Sequence, residues 1–178
     1  MRARAASLAA LLAFGGANAA SAADKLYTAY NIWFEQPTKI YSTNYQKGNL
    51  FPAGSEVTEV NRSSRKLEFT DPKLSMKYSV EFVGKHHPGV TAEQWIGRFL
   101  TTRNFAALTN GLTAAEIKAI REGQVQPGMS KKAVLVSVGF PPEVATASTD
   151  LDAWKYWRDR FRNYLVHFSN GKVTKSEQ

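Results

Sequence analysis

Apolar and polar positions alternate with a period of two across much of residues 26–83, the spacing of strands with one buried face. Residues 26–34 are aromatic and β-branched, and residues 39–45 alternate. In residues 56–60 the offset between Val57 and Val60 suggests a twist or bulge. Residues 66–70 place Leu67 and Phe69 on one face, and residues 77–83 do the same for Tyr78, Val80 and Phe82. Pro52-Ala53-Gly54-Ser55 and Asp71-Pro72 read as turns, because proline presets φ and glycine accepts φ > 0. The pattern predicts a small all-β unit over residues 24–85, with residues 84–89 as a linker.

Beyond the linker the period becomes helical. Thr91-Ala92-Glu93-Gln94 and Thr113-Ala114-Ala115-Glu116 are capping boxes, each followed by an apolar stripe: Trp95, Phe99 and Leu100 in one case, Ile117 and Ile120 in the other. Gly123 supplies a stop. A third helix starts at Ser130, buries Val134, Leu135 and Val138, and ends at Gly139, where Phe140-Pro141-Pro142 cannot continue it. Two strands follow, at residues 154–158 and 162–169. Asn170-Gly171 then closes a type I′ hairpin that pairs Ser169 with Lys172 and Phe168 with Val173. Tyr164, Val166 and Phe168 share one face of the hairpin and His167 takes the other. The expected class is α+β, with the β unit followed by helices laid on an antiparallel sheet over residues 91–178.

Residues 1–23 have a different layout. Arg2 and Arg4 precede a short apolar run through Leu8, Leu11 and Leu12, Gly15-Gly16 breaks it, and small-residue sites follow at Ala17-Asn18-Ala19 and Ala20-Ser21-Ala22. This is the arrangement of a secretory signal peptide, and the run is too short to span a bilayer. The expected location is therefore the periplasm, with no transmembrane segment in the mature chain. There is no cysteine, which excludes disulfides, thiol catalysis, thiolate metal sites and a lipidated N-terminal cysteine. The formal charge is +8, and loss of Arg2 and Arg4 leaves +6. A basic exported chain fits an anionic lipid, lipopolysaccharide or cell-wall partner. Nucleic acid suits the charge but not the address.

Gly128-Met129-Ser130, Val134, Gly139 with Pro141-Pro142, Trp154 and Tyr156, and Val166, Phe168, Gly171 and Val173 together resemble the SmpA/OmlA (BamE-like) family of bacterial envelope proteins over about residues 113–173. The resemblance implies a two-helix, three-strand unit, similar also to secreted β-lactamase-inhibitor proteins. It further implies a role in outer-membrane protein assembly without chemistry. Lys47-Gly48 and Pro52-Ala53-Gly54 before Glu56-Val57 resemble bacterial SH3-like domains, and a plain antiparallel meander is the alternative. The chain departs from the family in lacking the lipidation cysteine, in its added β-rich N-terminal part, and in the extra residues 157–161.

The candidate binding residues are Trp154, Tyr156, Trp157, Arg158, Arg160 and Arg162. Strand alternation sends one aromatic set onto the helices and leaves the other beside arginines, suited to stacking and cation–π contact; the alternative is that Trp157 packs on the N-terminal sheet. His86-His87 read as exposed linker residues, since neighbours in extended chain point apart and zinc needs a third ligand. Ser130 reads as an N-cap rather than a nucleophile, and Glu56, Glu59, Glu68 and Glu81 as solvent-facing strand residues. No catalytic residue, metal or cofactor is expected. The functional expectation is a non-enzymatic envelope scaffold or assembly accessory, peripherally associated with the outer membrane, that contacts an envelope protein, a membrane or a cell-wall surface. The alternative is a secreted inhibitor or ligand-binding module that uses the exposed sheet face.

Overall fold

The structure, a computed structural model, describes residues 25–177; the expected signal peptide lies outside the described residues. The fold is mixed α+β. A six-stranded sheet has the order β3-β7-β6-β5-β1-β8, built from β3 (Ile40–Tyr41), β7 (Met76–Glu81), β6 (Lys66–Asp71), β5 (Glu56–Arg62), β1 (Leu26–Thr28) and β8 (Leu100–Thr101). β2 (Ile32–Phe34) and β4 (Asn49–Phe51) form a separate ribbon, and β9 (Ala153–Trp157), β10 (Asn163–Ser169) and β11 (Lys172–Glu177) form a three-stranded antiparallel sheet. Four helices are described: α1 (Ala92–Phe99), α2 (Phe105–Thr109), α3 (Ala114–Arg121) and α4 (Lys131–Val138). Among the described residues no helix is long and apolar enough to cross a membrane.

Local signals translate directly into local structure. Both capping boxes form, with Thr91 and Thr113 accepting from the amides of Gln94 and Glu116. Ser130 caps α4 by accepting from Ala133. α3 ends in a Schellman arrangement: the amides of Gly123 and Gln124 reach the carbonyls of Ile120 and Ala119, with Gly123 at φ 64. A side chain there would also collide with the Trp33 ring. Asn170 and Gly171 take φ 49 and 72, and Ser169↔Lys172 and Phe168↔Val173 pair as the turn requires. The offset of Val57 and Val60 is a bulge, with Glu59 at φ 49 and the register shifting between Thr58 and Asn61.

Other features depart from the pattern. The run 26–34 divides between two sheets because the chain bends at Ala29 and Tyr30, and the Asn31 amide that follows donates to Val136 of α4. The run 39–45 yields only two strand residues before Asn44 enters the left-handed region at φ 49. β3 joins β7 in parallel, so the sheet is not a purely antiparallel meander. α1 buries Trp95, Ile96 and Phe99 against Leu67, Phe69 and Tyr78 of the six-stranded sheet, so that core extends past the linker to Leu100. A second core packs α3 and α4 on Trp154, Tyr156, Tyr164, Val166, Phe168 and Val173.

Two buried asparagines stitch the cores together. The Asn31 side-chain amide donates to the carbonyls of Ile120 (2.6 Å) and Ser137 (2.9 Å) and accepts from the Ala53 amide (2.7 Å). Asn44 donates to the carbonyls of Asn31 and Val138 and accepts from Trp33. Carbonyls at helix C-termini have no intrahelical partner, and here side chains from the N-terminal half supply one for Ser137 and Val138 and a second for Ile120, which also accepts from Gly123.

Candidate functional site

The stitch brings the β3 edge of one sheet beside the β9 end of the other, and a cleft opens between them. It comprises two recesses of about 500 and 450 Å³ that share Tyr41, Tyr45 and Arg160. Trp33, Lys39, Asp159 and Phe161 also line the first; Thr43, Lys85, His86 and Trp157 also line the second. Tyr45 stacks on Trp157 with ring centroids 6.1 Å apart, and His86 meets the same indole edge-on at 4.8 Å. Gln46 bonds the Tyr164 hydroxyl and fastens the wall below.

The electrostatics of the cleft are asymmetric. Lys47 pairs with Glu35 at 2.8 Å and Arg162 with Asp159 at 2.7 Å. Lys39, Lys85 and Arg160 form no ion pair among the described residues, against one unpaired carboxylate, Glu81. Burial, with Lys85 and then His87 nearby, pushes His86 below its ordinary value. It is therefore neutral at neutral pH and gains charge only on acidification. Two polar atoms on lining residues, Trp33 Nε1 and Thr43 Oγ1, are buried without a hydrogen-bond partner among the described residues. A wider recess of about 1150 Å³ lies beside α1, but Arg62 and Glu93 are its only charged lining residues and it has no aromatic one.

The expected site residues divide. Trp157 and Arg160 line the cleft. Trp157 also packs on the N-terminal half through Tyr45 and His86, the alternative weighed from the sequence. Arg158 lies with its guanidinium 5.4 Å over the Tyr164 ring, and Arg162 is exposed but held by Asp159. Trp154 and Tyr156 are corrected: both are buried in the C-terminal core, with Trp154 fully enclosed, so neither presents a surface. The Tyr156 hydroxyl donates to the Gly139 carbonyl, and burial raises its pKa well above the ordinary value.

The reading of His87 is also corrected. It is a buried residue, not an exposed linker histidine. Its Nε2 lies 2.9 Å from Ser42 Oγ and its Nδ1 2.6 Å from Glu143 Oε2, while Arg98 takes the other Glu143 oxygen. Burial raises the Glu143 carboxyl, but the bonds from His87 and Arg98 outweigh it and hold the group below its ordinary value. Serine, histidine and carboxylate in this order have the connectivity of a hydrolytic triad. Ser42, however, is buried and already accepts the Val83 amide at 3.0 Å. It lines neither recess, whereas its neighbours Tyr41 and Thr43 do. The array ties β3, the turn before α1, α1 itself and the segment after α4. Phe82, stacked on His87 at 5.4 Å, closes one face. Among the described residues no cluster of three or more potential metal ligands occurs.

Sequence reasoning missed Tyr41, Tyr45 and His86 as cleft residues. The one available signal was that adjacent histidines point apart: His86 faces Trp157 and His87 faces the interior. The chain matches no family model, and no curated protein or solved structure matches it.

Proposed function

We propose that this chain is a non-enzymatic accessory of the bacterial cell envelope, exported to the periplasm, which holds an anionic partner in the cleft between its two sheets. The observation that carries this reading is the lining: Tyr41, Tyr45 and Trp157 beside the unpaired Lys39, Lys85 and Arg160. Aromatic faces and cations together suit a ligand with flat or ring surfaces and negative charge. The BamE-like resemblance points to the same compartment. Its support is the run of α3 and α4 into a three-stranded antiparallel sheet. The free face of that sheet is a weaker candidate, because Trp154 and Tyr156 turn inward and leave Lys155, Leu165 and His167.

A photo-crosslinking residue at Tyr41, used in intact cells, tests the reading. The expected result is capture of an envelope protein or wall polymer, lost in Arg160→Glu and Tyr45→Ala variants of unchanged melting temperature. An identical capture pattern in those variants rejects the cleft as the site. Labelling of Ser42 by a fluorophosphonate probe would overturn the non-enzymatic part.

A further inference from the structure

The tip of the β9–β10 hairpin presents an apolar side chain that the fold does not use. Trp157 pairs with Asn163, and residues 158–162 form the loop between them. Phe161 in that loop is 91 % exposed, the most exposed large hydrophobic residue among those described. The loop is held firmly. Asp159 Oδ1 accepts from the amides of Phe161 (2.8 Å) and Arg162 (2.9 Å), and its Oδ2 lies 2.7 Å from the Arg162 guanidinium. The Phe161 amide, then the Arg162 side chain and amide, hold the Asp159 carboxyl at about 2. It is therefore ionised at neutral pH and accepts these bonds as an anion. The Arg158 amide closes the base on the Arg162 carbonyl at 2.8 Å.

The surroundings of Phe161 say what covers it. Its neighbours at the tip are Arg158, Asp159, Arg160, Arg162 and Asn163, with Lys39 and Lys47 on the recess that Phe161 itself lines. A protein hot spot is ringed by packed contacts that exclude water; Phe161 stands alone, 91 % exposed and the only apolar residue of its loop, beside the unpaired Arg160. An anionic lipid surface meets both demands. Its phosphates take the unpaired Arg160, and the acyl boundary beneath takes the ring. We propose that the Arg160-Phe161-Arg162 tip is a membrane wedge that docks the protein peripherally on an anionic lipid surface. Phe161 is inserted and the arginines rest at headgroup level, which leaves the mouth of the cleft next to the bilayer.

The test uses the mature chain with vesicles of equal parts phosphatidylglycerol and phosphatidylcholine, and with phosphatidylcholine alone. Co-sedimentation is expected with the mixed vesicles only and should weaken on adding salt. Phe161→Asp should lower the partition coefficient about tenfold or more, and Arg160→Gln about fivefold. Phe161→Trp should retain binding and add blue-shifted emission on the anionic vesicles. Leu151→Asp, at an exposed apolar residue flanked by Asp150 and Asp152, should bind as wild type. Tyr45→Ala should also bind vesicles normally, so loss of the cleft ligand and loss of the wedge are separate results. The wedge is overturned if the wild type ignores the anionic vesicles, if Phe161→Asp binds as well as wild type, or if Leu151→Asp weakens binding equally.

Discussion

Asn31→Ala removes three hydrogen bonds at once, to Ile120, Ser137 and Ala53, at a residue only 1 % exposed. The alanine leaves the Ser137 carbonyl and the Ala53 amide unpaired in the interior, while the Ile120 carbonyl keeps the Gly123 amide. Each unpaired group costs about 1–3 kcal/mol, reduced where water enters the space left behind. A loss of about 2–5 kcal/mol is therefore expected, a large fraction of the roughly 5–15 kcal/mol that holds a domain folded. Asn31→Asp separates hydrogen bonding from volume. It keeps the acceptor for Ala53 but points a carboxylate at the oxygens of Ile120 and Ser137. It should be at least as damaging as alanine at neutral pH and partly relieved in acid, where the neutral acid recovers one donor. Equilibrium urea unfolding is the assay, followed by tryptophan fluorescence, with Trp95 in one core and Trp154 in the other. A midpoint shift with an unchanged slope is expected. If both variants lie within about 1 kcal/mol of wild type, the stitch does not hold the two cores together and the cleft has lost its structural basis.

Two further outcomes follow from buried charge. Glu116 is buried; burial raises its carboxyl, but the amides of Thr113 and Ser130 and their hydroxyls outweigh it and hold the group at about 2. Because the folded value lies below the unfolded one, its stabilisation is complete above about pH 4.5 and is lost as pH falls towards 2; Glu116→Gln should flatten that part of a stability–pH curve measured by thermal unfolding. His87→Leu takes one partner each from the Ser42 hydroxyl and the Glu143 carboxylate, which keep Val83 and Arg98, and should cost about 1–3 kcal/mol in urea unfolding, whereas a catalytic His87 would instead show as lost turnover with stability little changed.

Helix ends and the hairpin were legible in the sequence because each is decided within a few residues: a threonine with a glutamine or glutamate three positions on, a serine ahead of an apolar run, an asparagine-glycine pair. Alternation likewise exposed Leu67, Phe69, Tyr78 and Val80 as core, but it could not tell which of Trp154, Tyr156 and Trp157 turns inward. The cleft was not legible in this way. Tyr41 and Tyr45 read as one more strand face, because nothing local records that Asn44 leaves the extended region to reach Val138, 94 positions away. His87 looked like a linker residue because its partners, Ser42 and Glu143, lie 45 and 56 positions off.

Short-range hydrogen bonding and periodicity, written into adjacent residues, thus mark helix ends, the hairpin and the apolar face of the regular strands, but not how far residues 26–34 or 39–45 stay extended, nor the short helix Phe105–Thr109. Which strands become neighbours depends on contacts that form once the chain has closed long loops, and those carry no local signature. The parallel seat of β3 on β7, the two cores joined through asparagine amides, and the basic aromatic cleft between the sheets all belong to that second class.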